Sequence, residues 1–118
     1  MMSADRLDGL RDRLHRFCKA RDWSEFHDPK NLAMAIASEA GELLATLRWI
    51  RSDASDAFVS DPANRLDVER EVADVAIALL LFCDRAGIDL LKAIDRKIEL
   101  NEANYPVEYS RGRPERPA

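Results

Sequence analysis

The sequence predicts an all-α domain of the four-helix-bundle kind, on three observations. Glycine and proline are scarce until the C-terminal end. Long stretches place apolar residues three and four positions apart, the period of an amphipathic helix. No segment shows sustained apolar–polar alternation or the turn chemistry of hairpins, so strands are not needed to account for any part of the chain.

Four helices follow from the periodicity. The first is expected from about Asp5 to Ala20, with Leu7, Leu10, Leu14 and Phe17 forming one stripe. The second opens on Asp28 and Pro29, an N-cap followed by proline at the first helical position, and is expected to reach about Ile50. A third runs from Pro62 or Asn64 to Arg85, with Val68, Val72, Val75, Leu79 and Phe82 on one face and Gly87 as its C-cap. The fourth spans about Asp89 to Asn104, with Leu90, Leu91, Ile94 and Ile98 facing inward, and stops before Pro106. Residues 52–60 read as a polar connection.

The chain has 118 residues, enough for one domain and too few for two. We place that domain at residues 1–109 and expect the aperiodic tail at 110–118 (SRGRPERPA) to be mobile. A hydrophobic share of 47% with 34% charged residues supports a packed core and argues against disorder. The net charge of -4 argues against a polynucleotide partner, which calls for a concentrated basic face. There is no apolar run of about 18 residues, and the start, MMSADRLDGLRDR, is too polar for a signal peptide, so neither membrane insertion nor export is expected and the cytoplasm is. Cys18 and Cys83 lie outside any CxxC pattern among apolar residues, and read as buried, reduced thiols.

The chemistry is carried by two matched pairs of acids. The second helix contains EAGE, Glu39 to Glu42, and the third EVAD, Glu71 to Asp74. A spacing of i, i+3 puts both carboxylates of a pair on one side of their helix, one turn apart. A single helical Glu is ordinarily a solvated surface acid. These four instead sit among apolar residues and lack a basic partner at i+4, where Leu43, Thr46, Val75 and Ala78 stand. Four carboxylates gathered in a partly dry cleft repel one another and carry desolvation costs on the order of several kcal/mol each unless protonated or bound to cations. A divalent metal resolves that conflict. All-oxygen ligands select a hard cation, Mg²⁺, with Mn²⁺ as the substitute. The rival di-iron chemistry needs Glu-x-x-His motifs, and none is present; His15 and His27 read as local hydrogen-bonding or surface residues.

Lys97, Asn101 and Tyr105 are spaced by four, so one face of the last helix carries an ammonium, an amide and a phenol. Alone this is a solvated helix edge. Beside a metal cluster, a phosphate-binding lysine makes a coherent nucleotide site. Trp23 and Trp49, near the ends of the first and second helices, read either as core or subunit contacts or as surfaces on which a base stacks.

Three strings in order, RDWSEFHDPKNLAMAIASEAGELLATLRW (Arg21 to Trp49), EREVADVAIALL (Glu69 to Leu80) and KIELNEANYPVEYSRG (Lys97 to Gly112), resemble the MazG-like and dCTP pyrophosphatase family. The resemblance implies an all-α NTP pyrophosphatase fold with Glu39, Glu42, Glu71 and Asp74 as Mg²⁺ ligands. It further implies that Lys97 and Asn101 contact phosphates or sugar, that Tyr105 lines the site, that Trp23 and Trp49 help hold the base, and that the protein is a homodimer or homotetramer. One position departs from the pattern: Ala78 stands where the vertebrate dCTP pyrophosphatases carry a tyrosine, which implies a wider or reshaped base pocket.

The expected activity is therefore hydrolysis of a nucleoside triphosphate to monophosphate and diphosphate by in-line attack of a metal-activated water, with one of the four acids as base and Glu42 as the candidate. The resemblance implies a housecleaning role in the nucleotide pool, with dCTP or a modified dNTP as substrate. The alternatives are a non-catalytic bundle that binds a metal or nucleotides, and a nucleotidase or a hydrolase of another phosphoanhydride.

Overall fold

Aspartate–proline pairs start both long helices that carry the acids. Asp28 accepts a hydrogen bond from the Asn31 backbone N–H at 2.8 Å, and Asp61 accepts one from the Ala63 N–H at 2.9 Å. Pro29 and Pro62 follow at the first helical position, where a missing N–H costs nothing. In the computed structural model, which describes residues 4–115, the chain is all-α, with no strand among those residues.

The chain forms two compact units, Met1–Gly87 and Ile88–Ala118. The first holds α1 (Ala4–Ala20), a 3-10 turn at Ser24–Phe26, α2 (Pro29–Leu47), a second 3-10 turn at Ser52–Ala54, α3 (Ser55–Ser60) and α4 (Pro62–Ala86). The second holds α5 (Leu90–Asn104) and α6 (Val107–Ser110).

Within the first unit α4 is the central element. α2 packs along it most extensively, and α1 and α3 also contact it. Leu7, Cys18, Leu32, Val68, Ala78 and Cys83 are buried there, Leu32 most deeply at 3% exposure. Burying one such leucine contributes about 1.5–3 kcal/mol. Both cysteines are free and buried, and burial pushes their thiols above the usual range, as expected of inert core residues. Between α1 and α4, Asp84 faces Arg11 at 3.9 Å and His15 at 3.4 Å, pairs exposed enough to contribute at most about 1 kcal/mol each.

The helix termini have local causes. α1 closes with a Schellman motif: the Trp23 N–H donates to the Cys18 carbonyl at 3.0 Å and the Asp22 N–H to that of Lys19 at 3.1 Å, with Asp22 at φ 55°. α4 stops at Gly87, whose φ of 69° is the left-handed conformation that glycine adopts at no steric cost. Asp89 caps α5 through the Lys92 N–H at 3.1 Å.

Three expectations need correction. α2 ends at Leu47 rather than Ile50, because a turn from Leu47 to Ile50 leads into extended backbone at Arg51. Residues 52–60 are not a bare polar connection. The Ser55 hydroxyl donates to the Ser52 carbonyl at 2.7 Å, Phe58 and Val59 are half-buried, and the Asn64 side chain donates to the Phe58 carbonyl at 3.1 Å, fastening α3 to α4. The apolar stripes are only partly covered. Val72 is 50% exposed, and Ile94 and Ile98, expected to face inward, are 45% and 51% exposed. Periodicity identifies a face that gains by being dry, but not whether the same chain supplies its cover. Of the tail, residues 110–115 include a turn closed by the Arg113 N–H on the Ser110 carbonyl at 2.9 Å; residues 116–118 lie outside the described residues.

Candidate active site

The packing of α2 on α4 brings three of the four acids together. Glu39, Glu71 and Asp74 each offer a carboxylate oxygen, and the three oxygens lie within 4.8 Å of one another. Glu39 and Glu71 are half-buried and Asp74 is exposed. This is the all-oxygen arrangement that suits a hard divalent cation. Partial burial, followed by the charges of Asp74, Glu42, Glu39 and Asp67, pushes the Glu71 carboxyl above the usual range. Repulsion of that kind in the free protein is what a bound cation relieves.

Glu42, the fourth acid, is exposed and stands outside that group of three, although it is near enough for its charge to act on Glu71. Its place one turn beyond Glu39 puts it on the same side of α2 without bringing it to the same point.

Beside the acids lies a partly open cleft of about 200 Å³. One wall is the turn before α2, through Phe26 and His27; a second is α2, through Asn31, Leu32, Ala35 and Glu39; the third is α4, through Asp74, Ile77, Ala78 and Leu81. Glu39 and Asp74 thus belong both to the acid group and to the cleft wall. The remaining lining is mainly apolar, with His27 and Asn31 the other polar side chains. Such a cleft suits a flat, largely apolar ring joined to an anionic group that meets the acids through a cation.

Ala78 is 6% exposed and lines the cleft one turn from Asp74, on the face expected for it. The tryptophans stand elsewhere. Trp23 is 47% exposed and meets Phe17 edge to face, ring centroids 5.6 Å apart, as the apolar contact of the Schellman motif. Trp49 is 83% exposed, with the Arg48 guanidinium 5.2 Å from its ring centroid. Neither is among the cleft-lining residues. Lys97, Asn101 and Tyr105 belong to the second unit. Lys97 and Asn101 are exposed on α5, and the Tyr105 N–H donates to the Asn101 carbonyl at 2.8 Å to close that helix.

The sequence reading missed Phe26, His27 and Asn31 as cleft residues. Their signal was faint: they flank Asp28–Pro29, which marks where α2 starts but not what α4 places opposite it.

The MazG-like family profile matches residues 34–115. The chain is 39% identical over 108 residues to dCTP pyrophosphatase 1 of Rattus norvegicus, covering 90% of this chain and 62% of that protein. With the Homo sapiens protein of the same name the identity is 34% over 106 residues, covering 89% and 62%. This chain therefore spans less than two thirds of those relatives' length. Among solved structures, a pyrophosphatase from Archaeoglobus fulgidus superposes with a TM-score of 0.82 at 39% identity, over 90% of this chain and 97% of that one.

Proposed function

We propose that this chain, which belongs to the MazG-like family, is a nucleoside triphosphate pyrophosphohydrolase that converts a (d)NTP and water to the (d)NMP and diphosphate. The observation that carries the proposal is that Glu39 and Asp74 are shared between the acid group and the cleft, so the two can serve one ligand. The names of the relatives, dCTP pyrophosphatase 1 and a pyrophosphatase, support the same reaction class.

In this reading Glu39, Glu71 and Asp74 hold the metal, and Glu42 adds negative charge and is the candidate base for the attacking water. A divalent cation held by these acids, Mg²⁺ with Mn²⁺ as substitute, would supply charge neutralisation at the phosphates and make a water there more acidic. The apolar walls from Phe26, Leu32, Ala35, Ile77, Ala78 and Leu81 hold the base and exclude solvent from it. Water adds to the α-phosphorus, the bond from that phosphorus to the α–β bridging oxygen breaks, and diphosphate leaves. The roles that the resemblance implies for Lys97, Asn101 and Tyr105 on phosphate and sugar, and for Trp23 and Trp49 on the base, are part of the proposal. So are a dNTP, dCTP or a modified relative among them, as substrate, housecleaning of the nucleotide pool as the role, and a cytoplasmic location. No helix among the described residues is long and apolar enough to cross a membrane.

A homodimer or homotetramer also belongs to the proposal. Trp49 at 83%, Leu44 at 61% and Leu66 at 55% exposure are large apolar side chains whose burial favours association.

The test is product analysis with a panel of ordinary and modified NTPs and dNTPs and Mg²⁺. Monophosphate with diphosphate is the expected result. Orthophosphate as the only phosphate product, or no release from any nucleotide, overturns it.

A further inference from the structure

The cleft wall formed by Phe26 and His27 lies in a short turn that packing does little to hold. Phe26 is 60% exposed, and within the turn itself the backbone supplies two bonds, Phe26 N–H to the Trp23 carbonyl at 2.9 Å and His27 N–H to that of Ser24 at 3.1 Å. What fastens the turn to α2 is one side chain. Asn31 Nδ2 donates to the Phe26 carbonyl and to Asp28 Oδ2, both at 3.0 Å, while the Asn31 backbone N–H donates to Asp28 Oδ1 at 2.8 Å. Both side-chain partners are acceptors, so only the amide nitrogen satisfies them and the orientation of the amide is determined. The Asp28 carboxylate is thereby used twice by the same residue, once as helix cap and once as anchor for the amide.

We propose that Asn31 is a positioning residue, its amide clamping the Phe26–His27 turn to α2 so that the base-binding wall stands at a set distance from the acids on α2 and α4. The inference rests on the cleft being the nucleotide site. Glu39 lies two turns further along α2 than Asn31, on the same cleft, so a wall fixed to the start of this helix is fixed relative to the acid. With the hydrogen bond from the Asn31 amide to the Phe26 carbonyl removed, the turn samples other positions and ordering it again falls on the nucleotide, which weakens binding of the base without altering the acids.

The experiment uses Asn31→Leu, which is close in shape and removes the donor without adding charge, and Asn31→Ala, which removes the side chain; both retain the backbone N–H that Asp28 caps. KM for the best dNTP should rise about tenfold in each, with kcat within about twofold, since one or two lost hydrogen bonds act on binding at that scale. The increase in melting temperature on adding Mg²⁺ should match that of the wild type. Wild-type turnover with unchanged KM in both variants overturns the clamp and leaves the activity standing, as does a fall in kcat at constant KM or loss of the Mg²⁺ response. No turnover by the wild type with any nucleotide overturns the activity and the clamp together.

Discussion

Glu39 on α2 and Asp74 on α4 are brought within metal-bridging distance of each other, a carboxylate oxygen of each lying within 4.8 Å, and both also line the cleft. That double membership makes them the pair most exposed to substitution. Glu39→Gln and Asp74→Asn should each lower kcat by about a hundredfold or more, the scale on which removing one preorganised charge-stabilising group acts. Far-UV circular dichroism should be unchanged. Near-normal turnover in both variants would remove them from the metal site.

Glu71 makes the metal-free protein sensitive to pH. Its carboxyl is raised by partial burial and by the charges of Asp74, Glu42, Glu39 and Asp67, so the folded chain keeps this proton at pH values where the unfolded chain has released it. The contribution to stability is greatest below the ordinary glutamate range and is lost as pH rises through the raised value. Between about pH 4.5 and pH 7, Glu71→Gln should therefore melt at an increasingly higher temperature than the wild type in chelator. Mg²⁺ should stabilise the wild type more than the variant, by mass action on the native acid cluster. A melting-temperature difference that does not change with pH would show that Glu71 carries no such repulsion.

Ala78 forms part of the cleft wall. Its methyl group is 6% exposed on the cleft wall, one turn from Asp74, and a tyrosine ring there would fill much of a space of about 200 Å³. Ala78→Tyr should change the ranking of kcat/KM among dCTP, dTTP, dATP and dGTP by about 1–3 kcal/mol, the usual scale of discrimination from a modest steric change. The product pair should stay the same. An unchanged ranking would mean that the base does not reach this wall.

Asp22 closes α1 in the left-handed conformation at φ 55°, where a side chain is a steric cost. Asp22→Gly should stabilise the protein by about 0.5–1 kcal/mol, the relief of that cost less the extra freedom glycine gives the unfolded chain. Urea denaturation measures it, as a higher midpoint at constant slope. A lower midpoint would show that the Asp22 side chain itself stabilises the cap.

The sequence by itself determined the four long helices and which acids share a side of α2 and of α4. Asp28–Pro29 sets where α2 begins and Gly87 where α4 ends through local backbone chemistry, and the i, i+3 spacing puts Glu39 with Glu42 and Glu71 with Asp74 whatever the rest of the chain does. Only the tertiary structure decided that carboxylate oxygens of Glu39, Glu71 and Asp74 come within 4.8 Å of one another while Glu42 acts on Glu71 from outside that group, and that Phe26, His27 and Asn31 wall the cleft. Periodicity fixes a residue's direction around its own axis; it says nothing of the rotation and height at which α2 meets α4, which are set by how Leu32, Ala78 and their neighbours pack. Trp23 shows the same division. Its aromatic character was legible, but its engagement by Phe17 follows from the reversal of the chain at Asp22, which a helical period cannot encode.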